Sequence, residues 1–444
     1  MSNARNDDDR SGARVTKRVL MFAYFFPPLG GGGVQRTSKF AKYLPSFGWT
    51  PAIVTVKEGG YWVRDDTLAG DVPPDADVIR TPSISIFQLL KLFPGSGARG
   101  QGGRRSGALF SFLRKLSSFL LIPDQYVGWI PFAVNGALRF MRRCHVSIIY
   151  STSSPDSAHI AGLITKRLSG KPWIADFRDP WTERLTFAAP TRFHVWLQRL
   201  LEGAVLKRAD RVVCTSEEIV KDFLEKHPHL DPQKFVVIMN GFDPDDFKDT
   251  VALSEGFTIT HTGILTGKRN AFEFLQGLRL FLEDRPDARN KVRVLFVGPR
   301  DMENESIAKR LGLLDVVTFR DSLPHRDCVR LQLSSQVLLL IEDDSRRGGL
   351  IYPAKVFEYA ASGRPILALV PEGAASRFIT TLKAGVVTYP SDPRKISNAI
   401  SFFFSAHESG TPLIGVSDKR QLTPFERREL TKALAQLMER LVTD

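Results

Sequence analysis

The chain has 444 residues, of which 43% are hydrophobic and 25% charged, and its 61 Lys and Arg residues exceed its 48 Asp and Glu residues by thirteen. This composition excludes a collagen, a coiled coil and a disordered chain, and the length predicts two or three globular domains. The three cysteines, Cys144, Cys214 and Cys328, form no C-x-x-C pair. A disulfide framework and a cysteine zinc site are therefore excluded, and a reducing, cytosolic setting is indicated.

The polar residues 1–16 lack the apolar core of a signal peptide and are predicted to be a disordered lead-in. No apolar run approaches the roughly eighteen residues that a membrane span needs, since prolines interrupt the most apolar window, residues 119–138. We therefore expect a cytoplasmic protein that would meet a membrane only at its surface.

Strand and helix patterns alternate from residue 18 onward. The apolar run Val19–Tyr24, a glycine-rich loop, the amphipathic stretch Val34–Phe47 and the run Ala52–Val56 form one βαβ unit, which predicts a parallel sheet. Further strands are predicted at Ser147–Ser151, Pro172–Phe177, Arg211–Thr215 and Phe235–Met239. We assign residues 17–243 to a first α/β domain.

A turn-rich stretch, Asn240–Ser254, holds four aspartates and is typical of a domain linker. Six more strand patterns separated by helical segments follow it, which predicts a second α/β domain over residues 255–420. The expected fold is two facing, doubly wound domains. The last segment, residues 424–444, is predicted to be a helix that follows no strand.

A basic insertion interrupts the first domain at about residues 81–123. Seven cations and no acid lie between Val78 and Pro123: Arg80, Lys91, Arg99, Arg104, Arg105, Arg114 and Lys115. Apolar and basic residues alternate behind it, so residues 80–131 are a candidate contact with an anionic membrane. A solvated loop joined to ordinary core helices is the alternative. Nucleic acid is disfavoured, because no reader motif is present.

Four glycines, residues 30–33, lie between a predicted strand and a predicted helix. Their amides could approach a phosphate, although a tight turn without a ligand is the alternative. A dinucleotide fingerprint is excluded, because Gln35 and Arg36 stand where its third glycine would be.

In the motif WIADFRDPW, Asp176, Arg178 and Asp179 follow a strand, at the edge where α/β domains bind ligands. A structural charge network is the alternative. No His or carboxylate spacing typical of a metal site occurs, so no metal is predicted.

The second domain opens with a loop that carries Gly263, Lys268 and Arg269. The loop lacks the spacing of a P-loop, but two cations at the end of a strand suit a diphosphate, with a solvated basic turn as the alternative. Farther on, Lys355 and Glu358 share one face of a short helix, as an ion pair would, and a loop containing Gly349 precedes that helix.

In order and spacing, these motifs resemble the family 4 glycosyltransferases of the GT-B fold, in the branch that assembles bacterial polysaccharides and glycolipids. The matching segments are FFPPLGGGGVQR, FAKYLPSFGW, IPDQYVGWIPFA, DFRDPW, VVCTSEE, IMNGFD, HTG with GKR, and YPAKVFEYAASGRPI.

The resemblance implies a retaining, metal-independent hexosyltransferase without a cofactor, which moves a sugar from a nucleotide-diphosphate donor to a lipid-linked or envelope glycan on the inner face of the plasma membrane. It also implies that the C-terminal helix returns to the first domain. Lys268 or Arg269 would hold the diphosphate together with Lys355, and Glu358 would bind the ribose. Gly263 and Gly349 would offer backbone to the donor from the second domain, and Gly32 and Gly33 from the first.

Two positions depart from the family pattern. Leu350 stands where a sugar-binding glutamate is common, and Arg178 stands where many members have a histidine. Arg178 cannot act as a base, so it is predicted to bind acceptor phosphate or hydroxyls, with Asp179 orienting an acceptor hydroxyl. His159 is a candidate substitute for the histidine, with a structural role as the favoured alternative. A nucleotide-sugar epimerase of the same fold and a catalytically inactive binding protein remain as alternatives.

Overall fold

The computed structural model describes residues 17–30, 32–57, 65–84, 119–185, 187–265, 267–413, 415–416 and 418–443. The predicted lead-in lies outside the described residues, and so do six of the seven cations of the basic insertion. The seventh, Arg80, is exposed and donates from Nη2 to the carbonyl oxygen of Pro27 at 2.7 Å.

The first domain is built on a seven-stranded parallel sheet in the order β3-β2-β1-β4-β5-β6-β7. Its strands are β1 Lys17–Phe22, β2 Trp49–Val56, β3 Asp77–Thr81, β4 Ile148–Ser153, β5 Trp173–Phe177, β6 Arg211–Cys214 and β7 Phe235–Val237. Its described helices are α1 Gly32–Tyr43, α2 Ile130–Met141, α3 Ser157–Ser169, α4 Arg192–Arg208 and α5 Glu217–Lys226. Leu20 and Phe22 enter one buried cluster and Val19 and Met21 another, so both faces of the sheet are covered.

The second domain has a six-stranded parallel sheet in the order β10-β9-β8-β11-β12-β13. Its strands are β8 Phe257–Thr262, β9 Val292–Val297, β10 Val317–Arg320, β11 Val337–Ile341, β12 Ile366–Leu369 and β13 Gly385–Thr388. Its helices are α6 Phe272–Asp284, α7 Met302–Arg310, α8 His325–Ser334, α9 Arg346–Gly349, α10 Ala354–Ser362, α11 Ala374–Thr381 and α12 Pro393–Glu408. The two sheets confirm the predicted pair of doubly wound α/β domains.

The last helix, α13 Arg427–Thr443, returns to the first domain, as predicted. Leu434 and Met438, four residues apart on one face, are buried in the same cluster as Phe40. Near the end of the helix, Glu439 forms an ion pair with Lys17 of β1.

Strand β3 is missing from the sequence-based expectations. Its sequence DVIRT lies at the edge of the sheet, and only Thr81 is buried, so it lacks the continuous apolar run that marks the central strands.

The predicted linker is fixed to the first domain by charge. The carboxylate of Asp243 accepts hydrogen bonds from Lys39 and Lys42 of α1, both at 2.7 Å, and from Tyr43. Burial would raise the pKa of Asp243, but the two ammonium groups hold it well below its usual value. The chain between the domains is therefore held against α1.

Among the described helices, none combines the length and apolar character required to cross a membrane.

Candidate active site

Residues that follow the carboxyl ends of strands in both domains line one cleft, whose cavity is about 900 Å³. The first domain contributes Ser154, Asp179, Glu183, Arg184 and Leu185, and the second contributes Gly267, Lys268, Arg269, Asp343, Ser345, Arg346, Arg347 and Ile351. Parallel α/β sheets bind ligands at this edge, and the volume is typical of small-molecule sites. The structure thus brings Asp179, Lys268 and Arg269 to one cavity.

Lys355 lies in the first turn of α10, where its ammonium group approaches the end of β8. Its Nζ is 3.4 Å from Nε2 of His261, and a Cβ at Gly263 would lie 2.8 Å from that Nζ. Burial, together with the charge of Arg269, lowers the pKa of Lys355 to about 8, against the opposing effect of nearby carboxylates. A cation with little solvation next to exposed backbone favours an anionic ligand.

The space beside Lys355 depends on Gly263, whose φ of 122° only glycine adopts readily. Alanine at this position is expected to cost about 2–3 kcal/mol of folding free energy and to push the Lys355 ammonium aside, which weakens anion binding. Urea unfolding and nucleotide titration measure the two effects.

Gly267 provides the matched control, because its φ is also positive, at 61°, but among the described residues no atom beyond its chain neighbours lies within 4 Å of an added Cβ. Gly267→Ala should therefore cost only about 1 kcal/mol. Equal costs at the two glycines would contradict the close approach of Lys355.

Arg269 and Lys268 differ in their surroundings, although both line the cavity. Arg269 forms an ion pair with Glu342, whose side chain is fully buried directly after β11, whereas Lys268 is exposed. Burial raises the pKa of Glu342 despite the charge of Arg269. Glu342, which the sequence patterns did not single out, thus holds Arg269 beside Lys355.

Glu358 pairs with a residue that sequence reasoning missed. Its Oε1 lies 3.0 Å from Nε2 of His325, at the start of α8. Burial would raise the pKa of Glu358, but His325 holds that pKa below its usual value. Burial would in turn lower the pKa of His325, but Glu358 raises it to about 9. The backbone N–H of His325 also donates to Asp65 of the first domain at 3.2 Å.

This pair makes stability depend on pH. The pKa of His325 is raised from 6.5 to about 9, so its stabilising effect is complete below pH 6.5 and is lost as the pH rises through about 9. The loss should reach up to about 3 kcal/mol. Urea unfolding across this window should show a decline in the wild type that His325→Gln lacks.

Lys355 has the opposite effect, because its lowered pKa makes the folded protein more stable as the pH rises above about 8. Subtracting the unfolding free energy of His325→Gln from that of the wild type at each pH therefore isolates the contribution of the histidine. The exposed His145 gives a control, since His145→Gln should keep the wild-type profile. A His325→Gln profile parallel to that of the wild type would contradict the ion pair.

Gly349, the last residue of α9, touches the loop that precedes α11. A Cβ there would lie 2.6 Å from the carbonyl oxygen of Glu372, so only glycine fits. The next residue, Leu350, is buried, and its carbonyl oxygen accepts a hydrogen bond from Ser216 of the first domain at 2.6 Å. This segment therefore joins the two domains.

Ion pairs between the domains extend this contact. Arg346 donates to Glu225 at 2.7 Å, and Arg347 donates to Glu183 at 3.0 Å. Both arginines line the cavity, but their guanidinium groups donate to carboxylates of the first domain.

Arg178 is held by backbone carbonyl oxygens on the first-domain side. Its guanidinium donates to Gly33, Ser153 and Ser154, the last at 2.7 Å. Burial lowers the pKa of Arg178, which still stays protonated. The arginine thereby joins the start of α1, which begins at Gly32, to the ends of β4 and β5, next to Asp179.

His159 does not reach the cleft. Its ring is fully buried against Phe177, and its Nδ1 lies 2.8 Å from Oγ of Ser151. Burial lowers the pKa of His159 to about 3. This supports the structural alternative for this residue.

Residues 30–246 match the model of Glycosyltransferase Family 4. Comparison with curated protein sequences finds no match. A glycosyltransferase from Rickettsia africae has a similar structure, with a TM-score of 0.65 and 15% identity, over 97% of this chain and 100% of that one.

Two further similar structures are HepE from Anabaena in complex with UDP and WaaG, a glycosyltransferase involved in lipopolysaccharide biosynthesis. The TM-scores are 0.63 and 0.60, and the identities 14% and 13%. Each match covers 95% of this chain and 99% of the other. Residues 30–246 of this chain thus match Glycosyltransferase Family 4, and this match together with the GT-B fold of the whole chain indicates a glycosyltransferase.

Proposed function

We propose that this glycosyltransferase transfers a hexose, with retention of configuration and without a metal, from a nucleoside-diphosphate sugar to a lipid-linked or envelope glycan. The observation that carries the proposal is the position of the Lys355 ammonium group beside Gly263 and within the electrostatic reach of Arg269, which lines the same cavity as Asp179 of the first domain.

Departure of the nucleoside diphosphate leaves negative charge on a phosphate oxygen. Lys355 and Arg269 would stabilise this charge in a partly desolvated site, where an ion pair is stronger than in water. They would thereby supply the charge compensation that a metal provides in other transferases. The lowered pKa of Lys355 favours this role, because a bound dianion draws a proton onto the amine.

Residues of the first domain would hold the acceptor. Asp179 lines the cavity, and in our proposal its carboxylate orients an acceptor hydroxyl, while Arg178 fixes the loop from which Asp179 projects. Glu358 would accept hydrogen bonds from the ribose hydroxyls, with His325 keeping it ionised. Gly32, Gly33 and Gly349 would offer backbone to the sugar and phosphates.

The acceptor class is inferred from structural neighbours. WaaG is described as acting in lipopolysaccharide biosynthesis, WaaB as a lipopolysaccharide outer core galactosyltransferase, and a trehalose-phosphate synthase was crystallised with glucose-6-phosphate. A glycolipid acceptor would place this enzyme on the inner face of the plasma membrane. The cations predicted between residues 80 and 131 would favour such a surface.

A donor screen tests the proposal. Thermal unfolding is measured with UDP-, GDP-, dTDP- and ADP-sugars, each with and without EDTA, and one donor class should raise the transition temperature equally in both conditions. With that donor, NMR of the glycoside formed on a lipid extract should show the anomeric configuration of the donor.

Four outcomes would contradict the proposal. Failure of every nucleotide sugar to stabilise the protein would remove the donor site. Conversion of the donor to another nucleotide sugar without an acceptor would indicate an epimerase, and binding without turnover would indicate an inactive binding protein. Loss of stabilisation in EDTA would exclude the metal-independent mechanism.

A further inference from the structure

Helix α4 of the first domain exposes a stripe of large apolar side chains. Phe193, Trp196 and Leu200 are 61%, 56% and 53% exposed, and spacings of three and four residues place them on one helix face. The rings of Phe193 and Trp196 contact each other, with centroids 5.7 Å apart. Such contiguous exposure of large apolar side chains marks an interaction surface.

Two more exposed apolar residues lie beside this stripe. Phe119 packs on His194 of α4 with ring centroids 4.5 Å apart, and its carbonyl oxygen lies 2.9 Å from Nε2 of that histidine. Leu120 follows directly and is also exposed. We call Phe119, Leu120, Phe193, Trp196 and Leu200 the α4 patch.

The solvent-facing side of α4 is also positively charged. Its exposed charged residues are Arg192, Arg199, Lys207 and Arg208. The acid of this helix, Glu202, is fully buried and engaged by Lys226 and His227. An exposed face that combines aromatic, aliphatic and basic residues, without an exposed acid, is complementary to anionic lipid.

The opposite face of α4 holds the cleft loop. Gln198 accepts a hydrogen bond from Nε1 of Trp181 at 2.8 Å, and Glu202 accepts one from the backbone of Thr182 at 3.0 Å. This loop follows Asp179 directly and contributes Glu183 to the cavity. A surface bound to the outer face of α4 would therefore be mechanically coupled to the acceptor wall.

We propose that α4 rests on the surface of an anionic lipid bilayer, with the α4 patch in the interface and the four cations at the headgroups. The inference deepens the proposed function, on which it rests, because it identifies the surface that brings a lipid-linked acceptor to the cleft. A second copy of the chain is a poorer occupant, since symmetric pairing of two such faces brings like charges together.

Flotation of the full chain with vesicles tests the proposal. Vesicles of phosphatidylcholine with phosphatidylglycerol should bind the protein, vesicles of phosphatidylcholine alone should bind it weakly, and added salt should weaken binding. The variant Phe193→Ala/Trp196→Ala/Leu200→Ala should bind these vesicles at least about tenfold more weakly than the wild type. Brominated lipid should quench wild-type fluorescence more strongly than that of Trp196→Phe, although both should float.

The control variant Met302→Ala/Leu314→Ala/Phe402→Ala removes three side chains of the second domain that are at least about half exposed, and it should float like the wild type. Unchanged flotation of the α4 variant would overturn the proposal. The proposal would also be overturned if light scattering showed a dimeric wild type and a monomeric α4 variant while neither protein floated with vesicles. Thermal stabilisation by nucleotide is measured in the same variants, so a failure of donor binding is recognised separately from a failure of lipid binding.

Discussion

Replacing Lys355 with methionine is expected to weaken nucleoside diphosphate binding by about tenfold to a hundredfold and leave the fold as stable as before. The binding loss arises because a charge-assisted contact to phosphate disappears, whereas the methionine keeps the length of the side chain. Folding does not suffer, because burial already disfavours the charged amine, as its pKa of about 8 indicates. Isothermal titration and urea unfolding measure the two quantities.

The same site makes binding depend on pH. Wild-type affinity for the nucleotide should fall as the pH rises through about 8, where Lys355 loses its proton, and the methionine variant should lack this step. Lys309, exposed on α7, provides a control in which Lys309→Ala removes an equal charge without loss of affinity. Undiminished nucleotide affinity in Lys355→Met would place the diphosphate elsewhere.

Cations that lie close together in the sequence of the second domain do not all lie close together in the structure. Four cations of the second domain that lie near the predicted diphosphate-binding residues in the sequence form two separate groups in the structure. Arg269 and Lys355 lie together at the ends of β8 and α10, whereas Arg346 and Arg347 pair with acids of the first domain. Sequence spacing does not reveal this division, because the acidic partners lie more than a hundred residues away.

The sequence was sufficient for most of the fold, because central parallel strands are buried on both faces and form unbroken apolar runs. All six strand patterns of the second domain correspond to strands. Edge strand β3 was not predicted, because its side chains are mostly half-buried and its sequence contains no unbroken apolar run.

The glycines and cations on loops that follow strands were predicted as candidate site residues, because such residue types at such positions can be recognised in the sequence alone. Their partners were not. His325 and Glu342 lie in segments without a recognisable motif, and each acquires its partner only when α8 meets α10 or β11 meets the loop after β8. Gly33 and Arg178 were both found by pattern, but the hydrogen bond from Arg178 to the carbonyl oxygen of Gly33 was not predicted.

Asp176 of the WIADFRDPW motif belongs to a structural charge network. Its replacement should destabilise the protein more than any other substitution proposed. Asp176→Ala is expected to cost about 3–5 kcal/mol, because the buried guanidinium of Arg36 loses its counter-charge. The two side chains are 0% and 1% exposed and join at 2.7 and 2.9 Å. Tyr150 and Thr152 also donate to this carboxylate, at 2.6 and 2.9 Å. Urea unfolding measures the cost.

The effect should depend on the uncompensated charge more than on lost packing. Arg36→Met combined with Asp176→Leu removes both charges and should cost less than Asp176→Ala alone. Glu283→Ala breaks the exposed pair with Arg279 and should cost under about 0.5 kcal/mol. Arg36 also donates to the carbonyls of Ile238 and Met239, at 2.9 and 2.7 Å, so it fixes α1 to the chain that leaves the first domain. A double variant as unstable as Asp176→Ala would show that hydrogen bonds from Tyr150 and Thr152, rather than the ion pair, hold α1 and its glycine loop at the cleft.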